Sequence, residues 1–403
     1  MSAHRILRRL LALLLCLAML AGGLWWGLAS ALPDTFYITG NGGLHIASMP
    51  WVAAREREDG VAAADSARQD TSRNVTLALF GAIPLKTVRA VQTEVRTVQV
   101  CGTPFGVKMF SDGVLVVAFS DQYTGLGAEN PAKEAGLRLG DLIVSAGGRP
   151  VRSNEELNQA ITAAGGQPLD IVYRRDGNQH TTVLTPVEDV TAGVYRAGVW
   201  VRDSSAGIGT MTFLDPANGT FAGLGHAISD VDTGAEITLL SGEIVPVTIT
   251  GCTKGTAGSP GALRGEFSAA AAGTVLANDA TGVYGRYIGP AAGQNCPVLQ
   301  PQEIALGEAE LWTTVQGGAP QRYSVRIEQV NMTSSDPNRN LLVRVTDPDL
   351  LAATGGIIQG MSGSPIVQNG RLVGAVTHVL VNDPARGYGI FATTMLQKAD
   401  GVA

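Results

Sequence analysis

The chain has 403 residues, 45% hydrophobic and 16% charged, which excludes a disordered protein and leaves room for two or three domains with buried cores. Its 51 glycines and only 5% aromatic residues favour a turn-rich β protein over a helical bundle. The formal net charge is -6 and no stripe of Lys and Arg is present, which argues against nucleic acid as a partner.

At the N-terminus, Arg5, Arg8 and Arg9 precede an apolar run from Leu10 to about Leu32. About twenty apolar residues suffice to cross a bilayer, and positive charge ahead of such a run leaves the rest of the chain outside the cytoplasm. Residues 1–34 are therefore expected to be a signal anchor or a signal peptide, with Ala29-Ser30-Ala31 suited to a signal peptidase. Exported chains can form disulfides. Cys101, Cys252 and Cys296 follow Cys16, and the odd number rules out a fully paired framework; Cys252 and Cys296 either pair or remain buried thiols. No Cys/His spacing resembles a zinc site, so neither a metal nor a cofactor is expected.

Residues 35–99 form an N-terminal segment. Within it, AAREREDGVAAADSARQDTSR (53–73) is polar and is expected to be an exposed linker or a loosely helical stretch. The following NVTLALFGAIPLKTVRAVQTEVRTVQV alternates well enough for two short strands.

Residues 100–188 read as one small α+β unit. PFGVKMFSDGVLVVAFSD predicts a strand, a turn at Ser111-Asp112-Gly113 and a second strand. Then come a short helix over 131–135, a strand over 141–146, a hairpin at Gly147-Gly148, a helix over 154–164 and a hairpin at Asp176-Gly177. This order, and above all NPAKEAGLRLGDLIVSAGGRPV, resembles a PDZ domain of the bacterial protease-associated kind. PDZ domains take an extended peptide as an added strand between a sheet edge and a long helix. Within that resemblance, Phe105, Gly106 and Val107 match the loop whose backbone amides receive a terminal carboxylate.

From 189 to 403 helix signals nearly vanish. Short strands alternate with Gly, Asp-Pro and Asn-Gly turns, as in GIGTMTFL, IVPVTI and RYSVRIEQV, which predicts a sandwich or two small barrels. The stretch GMSGSP at 360–365 places Ser362 among small residues. A serine nucleophile needs a base, in practice a histidine. Of the five histidines, His4 and His45 lie before the PDZ-like unit and His180 lies on its closing hairpin, so His226 in GLGHAISD and His378 in GAVTHVL are the candidates.

GMSGSP resembles the G-x-S-G-G-P loop of chymotrypsin-like serine peptidases, with Ser364 replacing one glycine. That resemblance implies a double β-barrel and an oxyanion hole made by the amides of Gly360 and Ser362. Longer stretches resemble the stage IV sporulation protein B peptidases: GIGTMTFLDPANGTFAGLGHAISDVDTG, VTDPDLLAATGGIIQGMSGSPIVQNGRLVGAVTHVLVNDPARGYGIF, LFGAIPLKTV and KGTAGSPGALRG, in the same order around the PDZ unit. The resemblance implies Ser362 as nucleophile, His226 as general base and Asp347 as third member; in the sequence itself Asp349, two residues on, and Asp230 and Asp232, just after the histidine, are rival carboxylates for orienting it. It further implies an exported, membrane-tethered serine endopeptidase acting between the forespore membranes. Such an enzyme would cleave itself and a membrane-associated regulator, and so activate processing of a precursor sigma factor. The rival class is a catalytically silent PDZ scaffold that binds extracytoplasmic peptide termini.

Overall fold

The computed structural model describes residues 2–40, 42–56, 72–125, 127–290 and 293–402. The helix Ser2–Ser30 carries the N-terminal apolar run, and its Leu7–Ser30 stretch, with a mean hydropathy of 2.1, is long and apolar enough to cross a membrane. Its leucines from Leu7 to Leu24 are exposed, Leu28 packs against the core of the next unit, and Trp25 donates to the Pro84 carbonyl there at 3.0 Å.

That unit is a four-stranded sheet in the order Thr35–Thr39, Ile83–Thr93, Ser72–Leu79, Val52–Glu56. Phe36, Val75, Leu77 and Val88 form its core. The polar 53–73 stretch is thereby corrected at both ends: 53–56 and 72–73 belong to strands, because their backbones pair with neighbours whatever their side chains. Residues 57–71 of that stretch lie outside the described residues.

Two barrels follow. The first closes through Pro104–Phe119, Leu239–Thr253, Gly273–Asp279, Gly282–Tyr287, Thr220–Gly223 and Val199–Asp215, the last pairing back onto the first. Phe105, Met109, Phe221 and Ile244 fill it. The second closes through Gly307–Thr313, Gln321–Val330, Leu341–Val345, Arg386–Phe391, Arg371–Val379 and Pro365–Gln368, around Leu311, Val325, Val343 and Ile366. A third core of Phe213, Tyr284, Val367 and Ile390 joins the barrels and receives Met395, Leu396 and Ala399 of the helix Ala392–Val402. The architecture is mainly β, as expected, with a small α+β unit of the PDZ kind and two β-barrels.

The PDZ domain is built from Leu142–Ala146, Leu169–Arg175, Asn178–Leu184 and the helix Asn154–Ala164. The helix begins where Ser153 accepts from the Glu156 amide, and it ends at Gly165 with φ 54. It buries Leu157 and Ile161 against Val114, Val116, Ile143 and Ile171.

The expected turn at Ser111-Asp112-Gly113 is instead a bend in the single strand Pro104–Phe119. Gly113, at φ 141, lets the chain deflect without reversing, and the Ser111 hydroxyl donates to the Gly113 carbonyl at 2.6 Å. Before the bend the strand belongs to the first barrel; after it, Val114 pairs with Ile143 of the PDZ sheet. This corrects the reading of Phe105, Gly106 and Val107 as a carboxylate-binding loop. Phe105 pairs with Gly209 on one side and Pro246 on the other, and Val107 with Gly207 and Ile244. With both edges occupied and the side chains of Phe105 and Val107 buried, no peptide strand can add there. The cysteines are unpaired, Cys252 and Cys296 included.

Candidate active site

The loop that carries Ser362 begins where the helix Pro348–Thr354 stops at Gly355, φ 76. Its backbone is pinned on both sides: Gln359 donates to the Gly261 carbonyl at 2.9 Å, Met361 to Ile358 at 3.1 Å, Gly363 to Val376 at 2.8 Å and Ser364 to Met361 at 2.9 Å. The alternate amides stay free. Among the described residues, neither Gly360 nor Ser362 donates its N–H to a protein acceptor. Gly360 has φ 95 and Gly363 φ 90, conformations that L side chains rarely adopt, so both glycines of GMSGSP are required by the turn.

The strand Val199–Asp215 holds this loop from below. The Thr210 amide donates to the Ser362 carbonyl and its hydroxyl to the Gly360 carbonyl, both at 2.9 Å; the Thr212 hydroxyl donates to the Gly363 carbonyl at 2.7 Å. Met361 and Ser364 of the motif are structural. Met361 is fully buried and its Sδ accepts the Ile358 amide at 3.4 Å, while the buried Ser364 hydroxyl donates to Thr313 Oγ1 at 2.8 Å.

His226 leaves the strand Thr220–Gly223 through Leu224 and Gly225, which lie against Gly363 and Thr377 respectively. His378 follows Thr377 on the strand Arg371–Val379. The two imidazoles meet with ring centroids 4.7 Å apart and planes tilted by 32°. The structure thus brings together both histidines that the sequence left as candidates. His226 Nδ1 lies 2.8 Å from the Ala227 carbonyl, an acceptor only. Nδ1 must therefore carry the proton, which leaves the Nε2 lone pair available as a base. Burial lowers the His226 pKa, outweighing the opposing Ala227 contact. His378 is pushed down to about 4, first by burial and then by His226. The Ser362 hydroxyl donates to the Thr377 carbonyl at 2.8 Å, and no hydrogen bond joins it to His226 in this conformation.

Asp347 sits elsewhere. Its carboxylate accepts from the Asp349, Leu350 and Ser324 amides at 3.0, 3.1 and 3.1 Å, capping the helix Pro348–Thr354. It makes no hydrogen bond or ion pair with either histidine, so in this conformation it shapes the start of the segment that leads to Ser362. Asp230 and Asp232 are both taken by Arg202. Asp230 is buried; against the push of that burial, hydrogen bonds from Thr233 and Arg202 hold its carboxyl below the usual range. Arg202 thereby anchors the segment just after His226 to the strand that also latches the serine loop.

The sequence profile of the SpoIVB peptidase S55 family matches residues 193–396, about half of the chain and all of the Ser362 and His226 surroundings. The chain belongs to this family. A PDZ-domain profile matches residues 105–185. The chain thus joins an S55 peptidase region to a PDZ-domain region. Among curated proteins, it is 37% identical over 91 residues to a Bartonella henselae protein named "Putative zinc metalloprotease", an overlap of 22% of this chain and 24% of that one. It is 40% identical over 60 residues to Serine protease HTRA1 of Xenopus tropicalis, covering 15% and 13%. The chain thus spans about a quarter or less of the length of these relatives. Among solved structures, the Rv3671c protease of M. tuberculosis in its active form overlaps 49% of this chain and 75% of that one, at 14% identity and a TM-score of 0.31.

The S55 peptidase also has a groove on its PDZ domain, away from Phe105–Val107. A cavity of about 470 Å³ opens between the helix Asn154–Ala164 and the start of the strand Val199–Asp215, lined by Leu157, Ile161, Val199 and Trp200, with Arg196 at one end. On one side, residues 199–202 pair with the strand Pro104–Phe119; among the described residues their other edge pairs with no strand. The amides of Ala197 and Gly198 are likewise without a protein acceptor among the described residues. Sequence reasoning missed this edge because it lies beyond the PDZ-like stretch, in a strand that reads as peptidase. It also missed Thr210 and Thr212, although their spacing of two on an alternating strand puts both hydroxyls on one face.

Proposed function

We propose that Ser362 is the nucleophile of this endopeptidase, His226 its general base, and the Gly360 and Ser362 amides its oxyanion hole. The observation that carries this reading is the pair of unengaged amides on either side of Met361, on a loop that Thr210 and Thr212 hold beside the two histidines. Ser362 Oγ attacks the substrate carbonyl carbon, its proton passes to His226 Nε2, and the carbonyl oxygen becomes the oxyanion that the two amides receive. His226 then returns the proton to the leaving amine, and water completes the cycle. For the proton transfer the Ser362 hydroxyl must turn from the Thr377 carbonyl towards His226, a rotation about one side-chain bond. Asp347 enters this reading through the helix it caps, which leads into the nucleophile loop.

The finer role rests on the sequence resemblance. In this reading the Ser2–Ser30 helix tethers the enzyme so that its barrels lie outside the cytoplasm, between the forespore membranes. There it cleaves itself and a membrane-associated regulator during sporulation, leading to activation of a precursor sigma factor. The groove beside Asn154–Ala164 fits a peptide that adds as a strand to the free edge at 199–201, its terminal carboxylate meeting the Ala197 and Gly198 amides and Arg196. The test is to incubate the purified full chain and its Ser362→Ala variant and to follow self-cleavage and casein cleavage. Loss of both activities in a folded variant supports the reading, and persistent cleavage overturns it.

A further inference from the structure

A serine–histidine pair usually relies on a third group that fixes the histidine's tautomer and orientation and supports the imidazolium. Among the described residues no carboxylate is hydrogen-bonded to His226: Asp347 is committed to backbone amides, and Asp230 and Asp232 are committed to Arg202. The His226 ring has the Ala227 carbonyl on Nδ1 and is paired with the ring of His378, whose centroid is 4.7 Å away.

We propose that His378 positions the His226 base by stacking on its imidazole, so that this ring and the Ala227 carbonyl together do what a triad carboxylate does. The inference rests on the reading of Ser362 and His226 as nucleophile and base. The carbonyl sets the tautomer, and the His378 ring blocks rotation out of the plane that aims Nε2 at the serine. When His226 takes the serine proton, the face of a neutral aromatic ring lies next to the new positive charge, an arrangement that favours the cation. Neutrality of His378 is essential to this role, since a second imidazolium there would repel the first. Burial and the neighbouring His226 keep His378 neutral down to about pH 4. The charged groups around it are Asp336 and Arg339 on the turn Pro337–Arg339 and its cap, one favouring and one opposing its protonation. Arg386, on the paired strand, is engaged by Glu328 and Asp383. The position on the strand also links the two partners of the reaction: Thr377, one residue before His378, offers the carbonyl that holds the resting Ser362 hydroxyl.

The experiment reads the serine without needing a natural substrate. The full chain in detergent micelles is treated with diisopropyl fluorophosphate, whose phosphorus is attacked by Ser362 Oγ with release of fluoride while His226 accepts the proton. Inactivation rate constant and inhibitor affinity are measured separately from pH 4 to 9 for wild type, His378→Phe, His378→Gln and His378→Ala. His378→Phe keeps a neutral ring and is expected to stay within about threefold of wild type at pH 8. His378→Ala and His378→Gln are expected to lose about tenfold or more in rate constant with affinity unchanged, the size of a modest general-base defect. Their acidic limb should also differ from that of His378→Phe, because removing the ring admits solvent to His226 and withdraws the aromatic face beside its cation. A change in affinity alone would make His378 a wall of the substrate cleft and overturn the proposal. So would wild-type rates and an unshifted limb in His378→Ala, or equal losses in the Phe and Gln variants. Ser362→Ala and His226→Ala serve as separate controls: labelling at wild-type rate in either defeats the reading of nucleophile and base itself, independently of His378.

Discussion

Gly363→Ala tests whether the nucleophile loop is held as tightly as its contacts imply. Gly363 has φ 90, where an alanine costs about 1–2 kcal/mol from backbone strain alone. A methyl built there would also overlap the Thr210 carbonyl oxygen and the Leu224 amide of the underlying strands. It would fall more than about 1 Å inside the ordinary carbon–oxygen approach of about 3.3 Å. Neither strand can yield, because Thr210 lies within the first barrel and Leu224 abuts the core, so the loop must retreat by about that distance. A 1 Å misplacement of reacting groups costs on the order of 10²-fold in rate. The expected outcome is a loss of at least about 2 kcal/mol in urea unfolding. Fluorophosphonate labelling of Ser362 should also fall by about 10²-fold under conditions where the variant is folded. Gly370→Ala is the matched control: φ is 74 but open space surrounds it on a remote hairpin, so stability should fall slightly and labelling should not. Wild-type stability and labelling in Gly363→Ala would refute the picture of a loop clamped on the first barrel.

Four further outcomes are expected from the same geometry. Labelling of Ser362 requires neutral His226; because burial lowers that pKa, the reaction should persist below pH 6.5, the usual histidine midpoint, and be lost only as pH falls through the depressed value. A limb at or above pH 6.5 would contradict the burial. Arg202→Gln leaves the buried Asp230 with only its Thr233 and Asp232 partners, and should cost about 1–3 kcal/mol in thermal or urea unfolding while slowing labelling; an unchanged rate would show that the loop after His226 needs no such anchor. Asp347→Ala removes a helix cap and should cost about 1 kcal/mol with the acidic limb of labelling unmoved, whereas a shifted limb would reveal a carboxylate acting on His226. A peptide ending in a free carboxylate after an apolar residue should bind the full chain, measured by fluorescence anisotropy, about tenfold more tightly than its C-terminal amide; equal binding would remove the Ala197, Gly198 and Arg196 end of the groove from the account.

Local signals made some of this legible in advance. The helix Asn154–Ala164 announces itself by Ser153 at its start and Gly165 at its end, and it lies where the sequence predicts it. GMSGSP and GLGHAISD stand out because a turn at positive φ needs glycine and a base needs histidine, both local requirements. The bend at Gly113 was hidden for the converse reason. Ser-Asp-Gly is the composition of a turn, and only pairing with residues more than twenty positions away on both sides makes it a continuous strand. The same non-local pairing removed Phe105, Gly106 and Val107 from the peptide groove and gave its open edge to 199–201. Asp347 illustrates a further limit. An Asp before Pro and fifteen residues ahead of the nucleophile reads equally as a catalytic acid or a helix cap, and its three amide partners become visible only in the fold.

The most direct test of the central claim is to label the full chain with diisopropyl fluorophosphate at neutral pH and locate the adduct by peptide mass spectrometry. The account predicts one adduct, on Ser362, absent from Ser362→Ala and reduced to background in His226→Ala. An adduct on another serine of a proteolytically active chain, or undiminished labelling of Ser362 without His226, would contradict it.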